Sequence, residues 1–178
     1  MQNDLLKEIL MEVLTIGYVA IICQNLEESL NFYCNGLGLK KIYSEPNRDD
    51  NESTQILLAS QNGPCLMLIG PNDPKMKLSQ AALGVGSMQY LTFYVTNTEL
   101  DNAFYTLSNA GIQISEEIKR GYERIIFIED PSGTLVTLTS WKGINSSDLS
   151  NNTERLKKAE SFRRTEKSEY IQEHHLEK

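Results

Sequence analysis

From residue 16 to residue 141 the chain sets short apolar runs around one longer periodic stretch, and it does so twice. Residues 18–23 (YVAIIC) are apolar and rich in β-branched side chains, the make-up of a buried strand. Asn25 follows as a helix cap, and Leu26, Leu30, Tyr33 and Leu37 give the next helix an apolar stripe. Gly36 and Gly38 end that helix. Residues 39–44, 55–60 and 64–69 read as three strands, divided by a polar loop at 45–53 and an Asn62-Gly63 turn. After a Gly- and Pro-rich joint the order returns. It has a strand at 89–95, then a helix capped by Asn97 or Thr98 with Leu100, Phe104, Leu107 and Ala110 on one face. Strands at 112–119, 124–129 and 135–141 follow. Gly121-Tyr122 and Asp130-Pro131-Ser132-Gly133 are the turns between those strands.

Single residues repeat as well as the pattern. Tyr18, Asn25, Glu27, Phe32 and Tyr33 recur at one constant offset as Tyr90, Asn97, Glu99, Phe104 and Tyr105. Self-similarity of this kind marks one supersecondary unit used twice. The predicted fold class is therefore α+β, with two tandem βαβββ units at 16–70 and 88–141 and a joint at 71–87, within one domain spanning 16–142. Outside it, Leu5, Leu6, Ile9, Leu10 and Val13 predict an amphipathic helix in residues 1–15. Residues 143–178 read as a linker and a charged helical tail, with Leu156, Ala159 and Phe162 at helical spacing.

Charge narrows the class of partner. The chain of 178 residues has a net charge of −7, which argues against nucleic acid and against anionic membranes. Up to residue 140 there are 9 basic against 17 acidic side chains, and beyond it 8 against 7. An acidic body favours a cationic ligand, while solubility alone accounts for the same charge. Cys23, Cys34 and Cys65 form no CxxC pair and read as reduced thiols, so the expected location is the cytoplasm. No apolar stretch is long enough for a membrane span or clean enough for a signal peptide.

The helix entry Leu26-Glu27-Glu28-Ser29-Leu30-Asn31-Phe32-Tyr33, followed by Leu37-Gly38-Leu39, and the closing Asp130-Pro131-Ser132-Gly133 resemble the vicinal oxygen chelate superfamily over residues 16–141. That group holds glyoxalase I, extradiol dioxygenases, fosfomycin-resistance enzymes and bleomycin-resistance proteins. The resemblance implies eight strands curled into a cup, and the helical extensions at both ends lie outside it. In the enzymes, four side chains in the cup hold a divalent metal that acts as a Lewis acid on two adjacent substrate oxygens.

Carried onto this chain, the four ligand positions fall on Tyr18, Met67, Tyr90 and Thr137. A thioether is soft, a threonine hydroxyl is a weak ligand and a phenol must first lose its proton. Both histidines, His174 and His175, lie in the tail. The expectation is thus no metal, no cofactor and no inherited metal-dependent catalysis. Strand alternation puts Thr92, Tyr94 and Trp141 on the same face as the four, a surface suited to a small cationic or aromatic molecule. The resemblance to bleomycin-resistance proteins implies ligand sequestration in a homodimer. Two alternatives stay open: a glyoxalase-like lyase, isomerase or dioxygenase, and a protein-interaction module whose cup is filled by its own side chains. Tyr18 and Tyr90 serve equally as walls for a ligand or as filling.

Overall fold

The computed structural model describes residues 13–80, 82 and 84–177. The amphipathic helix expected in residues 1–15 falls almost wholly outside these. The order of elements is two rounds of βαβββ. Strand β1 (Val19–Ile22) leads to helix α1 (Leu26–Leu30), which widens into a π-helical turn at Asn31–Gly36; β2 (Lys40–Pro46), β3 (Ser53–Ser60) and β4 (Gly63–Pro71) complete the first unit. The second has β5 (Leu91–Tyr94), α2 (Asn97–Asn109), β6 (Ile118–Arg120), β7 (Glu123–Glu129) and β8 (Leu135–Trp141).

The strands divide into two four-stranded mixed sheets, ordered β1-β4-β3-β2 and β5-β8-β7-β6. In each, the first strand runs parallel to the last and the remaining pairs are antiparallel. One face of each sheet packs on the helices. Ile21, Ile56, Leu58, Leu66 and Leu68 of the first unit share one apolar core with Leu100, Leu107, Ile126, Ile128, Val136 and Leu138 of the second.

Three local expectations change. The strand expected at 112–119 is confined to β6, because only an isolated bridge between Ile114 and Ile128 precedes it. There the Ser115 hydroxyl accepts the Phe127 N–H, taking a ladder bond for a side chain. Helix α2 is capped by Thr96, not by Asn97 or Thr98, in a reciprocal capping box with Glu99. Asn97 instead reaches Trp141, Arg124 and Ser140. The buried stripe of α2 is Leu100, Ala103 and Leu107, and Phe104 points outward.

The tail is an ordered element. Helix α3 (Leu149–Glu166), capped by Asp148, is followed by a 3-10 turn at Glu173–Glu177. Ala159 and Leu176 bury Trp141 together with Tyr122, Ile144, Leu156 and Ile171. Arg155 lies 5.3 Å above the indole ring and donates to the carbonyls of Lys142, Gly143 and Leu176. No helix among the described residues is long and apolar enough to cross a membrane.

Candidate functional site

The face of each sheet turned away from the helices carries the residues singled out in the sequence. Tyr18 lies just before β1, and Ala20 of β1 stands in register with Met67 of β4. Tyr90 lies just before β5, and Thr92 of β5 stands in register with Thr137 of β8. The next rung pairs Tyr94 with Thr139. Tyr18 and Met67 therefore share the first sheet, while Tyr90, Thr92, Tyr94, Thr137 and Trp141 share the second.

Their accessibility differs sharply. Met67 and Thr137 are buried on central strands, whereas Tyr18, Tyr94 and Ile22 are exposed, Ile22 to 69%. The Thr137 hydroxyl donates to Thr92 Oγ1 at 2.9 Å. Tyr90 meets the Phe127 ring edge-on, with centroids 6.2 Å apart, and the Arg120 guanidinium lies 5.9 Å above the Tyr90 ring. Trp141 is only 1% exposed. It lies beneath the tail, and its indole N–H has no hydrogen-bond partner among the described residues.

One residue of this face escaped the sequence reading. Glu123 begins β7, in register with Arg120 on one side and Trp141 on the other. Its carboxyl is pushed above the usual glutamate range by burial, against the opposing charge of Arg120. Burial and then the charge of Glu123 push the Tyr94 and Tyr122 phenols up as well. The signal was present in the alternation Glu123, Ile125, Phe127, but a strand started at residue 124 hides it.

Other groups are engaged elsewhere. Burial pushes the Cys23 thiol up to about 11, so it is an inert apolar filler. Arg124 donates to Glu117, Asp101 and Asn97. A cleft of about 560 Å³ lies on the helix side, between α1 and the Asp130-Pro131 turn, away from the residues above. In the tail, Glu166 Oε2 lies 2.9 Å from His174 Nε2 and 3.0 Å from His175 Nε2. The Gln172 N–H donates to His175 Nδ1, so the ring proton of neutral His175 sits on Nε2 and points at Glu166. That trio is a hydrogen-bonded latch whose buried imidazole turns a proton, not a lone pair, toward the shared oxygen.

The family model described as the glyoxalase/bleomycin resistance protein/dioxygenase superfamily matches residues 15–138. The chain belongs to this superfamily. Similar solved structures include a glyoxylase/bleomycin resistance protein/dioxygenase domain from Frankia sp. EAN1pec, at 14% identity and a TM-score of 0.63, covering 75% of this chain and 96% of that one. A glyoxalase family protein from Enterococcus faecalis is 21% identical with a TM-score of 0.57, covering 71% and 97%. The fosfomycin resistance protein FosX from Listeria monocytogenes, solved with Mn(II) and sulfate, is 14% identical with a TM-score of 0.54, covering 74% and 96%. At these identities the likeness is one of fold. No curated protein matches the sequence. Helix α3 lies wholly beyond the stretch that the superfamily model matches.

Proposed function

We propose that this superfamily member binds a small organic molecule, cationic or aromatic, without a metal. The binding surface is the sheet face that carries Tyr18, Met67, Tyr90, Thr92, Tyr94 and Thr137. The observation that carries the reading is the state of the four positions where the superfamily's enzymes keep their ligands. Met67 offers a buried thioether, and the Thr137 hydroxyl is buried and bound to Thr92. Tyr18 and Tyr90 are phenols, and no histidine occurs before residue 174. This donor set does not fit a hard or borderline divalent cation. It does fit a recognition surface, with aromatic area, aliphatic floor and a few hydroxyls.

Trp141 enters this site from beneath, as a buried floor rather than an open stacking platform. A second copy of the chain supplies the other wall of the cup. Ile22 and Tyr94 stand exposed on β1 and β5, each an edge strand of its sheet, and a homodimer would cover both. The three free thiols suit work in the reducing cytoplasm.

The test is a thermal-shift screen of cationic and aromatic metabolites in the presence of a chelator. A ligand at 100 times its dissociation constant stabilises by about 2.7 kcal/mol. No shift across a broad panel contradicts the proposal.

A further inference from the structure

We propose that Glu123 is the charge-recognising residue of this surface and that the ligand bears a protonated amine seated on its carboxylate. The inference rests on the reading above and names the ligand's chemistry. It starts from one row of the second sheet, where Arg120 of β6, Glu123 of β7 and Trp141 of β8 stand side by side.

Each of the three carries a polar group, and none makes a hydrogen bond or ion pair with a described residue. For an exposed arginine this means little. For a half-buried carboxylate it is costly, because lost hydration is not replaced. Arg120 is the cross-strand neighbour of Glu123, yet its guanidinium is spent over the Tyr90 ring instead. The carboxylate is therefore left without a contact partner.

Its surroundings select the partner. Trp141 forms the floor, and the Tyr122 ring stands edge-on to the indole at 6.0 Å. Tyr94 lies on the neighbouring rung, in register with Thr139. A carboxylate beside an exposed aromatic ring attracts an organic ammonium twice over, through the ion pair and through the open Tyr94 ring, while the Trp141 ring is already covered by Arg155. An anionic ligand gains neither, and a neutral one leaves the carboxylate unpaired. Burial raises the Glu123 carboxyl, and a bound ammonium would reverse that cost by stabilising the ionised form.

The chain supplies its own reporter, because Trp141 is the single tryptophan and is in register with Glu123. Tryptophan emission of the full-length protein is titrated at neutral pH with benzylammonium and, separately, with benzyl alcohol, which has the same ring and no charge. Benzylammonium should bind roughly tenfold or more tightly than benzyl alcohol, the usual scale for a charged hydrogen bond. Glu123→Gln should level the two, and Glu123→Asp should keep the preference. Thermal melts of both variants confirm that they fold.

Equal affinity for the two probes in the wild-type protein, or a preference that survives Glu123→Gln, overturns the role of Glu123 and leaves the small-molecule reading standing. A melting shift with no change in Trp141 emission places the site elsewhere and overturns it too. If neither probe binds by either readout, the role of Glu123 falls, and the small-molecule reading is decided by the broad thermal-shift screen.

Discussion

The Tyr33 hydroxyl donates to Asp130 Oδ2 at 2.9 Å across 97 residues of sequence. This bond joins the π-helical turn after α1 in the first unit to the β7–β8 turn of the second, and both residues are buried. Asp130 is held from its other side by the backbone N–H groups of Ser132 and Thr134. The Ser132 hydroxyl in turn accepts the Gln24 N–H. Tyr105, the repeat partner of Tyr33, is 74% exposed and makes no such link. Identical residues at equivalent positions thus do different work, and the duplication is broken where the units meet.

Removing this hydroxyl should therefore cost stability at one copy only. Tyr33→Phe leaves a buried carboxylate oxygen short of its donor and should destabilise by about 1–3 kcal/mol. Tyr105→Phe should stay within roughly 0.5 kcal/mol of the parent. Urea unfolding of the two variants checks both values.

Gly121 sits at φ +60, and a Cβ there would run into the Ile171 carbonyl of the tail. Gly121→Ala should strain the turn by about 1–2 kcal/mol. It should also push the tail off Trp141. The expected signature is a red shift of tryptophan emission with little loss of far-UV ellipticity.

Acid should loosen the tail early. Hydrogen bonds from Arg163, then Arg164, hold the Glu160 carboxyl at about 2. Glu154 and Glu177 are lowered by hydrogen bonds from Lys157 and Lys142. Each has a folded pKa below its unfolded one, so its contribution is complete above the ordinary glutamate value. That contribution is lost as pH falls from there toward 2. These pairs are surface groups, so salt should weaken them too. Trp141 emission followed from pH 6 to pH 2 should shift, and Glu160→Gln should flatten part of the change.

The proposed homodimer makes its own prediction. Ile22→Glu places a charge on the exposed β1 edge, where a second copy would have to desolvate it. Light scattering should show a dimer for the parent and a monomer for the variant, with unchanged circular dichroism. A monomeric parent contradicts the two-copy cup.

Both units were legible in the sequence because strand and helix periods repeat at one offset and local signals agree with the fold. The equivalent places of Tyr18 and Tyr90, each just before the first strand of its unit, were readable for the same reason. The outward turn of Phe104 was not, because Ala103 and Phe104 are both apolar and only the neighbouring sheet decides which one is buried. Nor was the docking of the tail. It depends on a few apolar contacts, Ala159 and Leu176 on Trp141, set among many charges. Glu123 was lost to a strand boundary placed one residue late. A shift of one residue conceals a side chain at a strand end as readily as it turns a strand over.

The central claim is recognition of a small organic molecule without a metal, and native mass spectrometry of the chelator-treated protein tests it most directly. The protein is mixed with the ligand that gives the largest melting shift, and the complex is weighed. The account predicts an organic adduct that persists after chelation and is indifferent to added Mn, Ni or Zn. An adduct that disappears with the chelator and returns with one of those metals would contradict it.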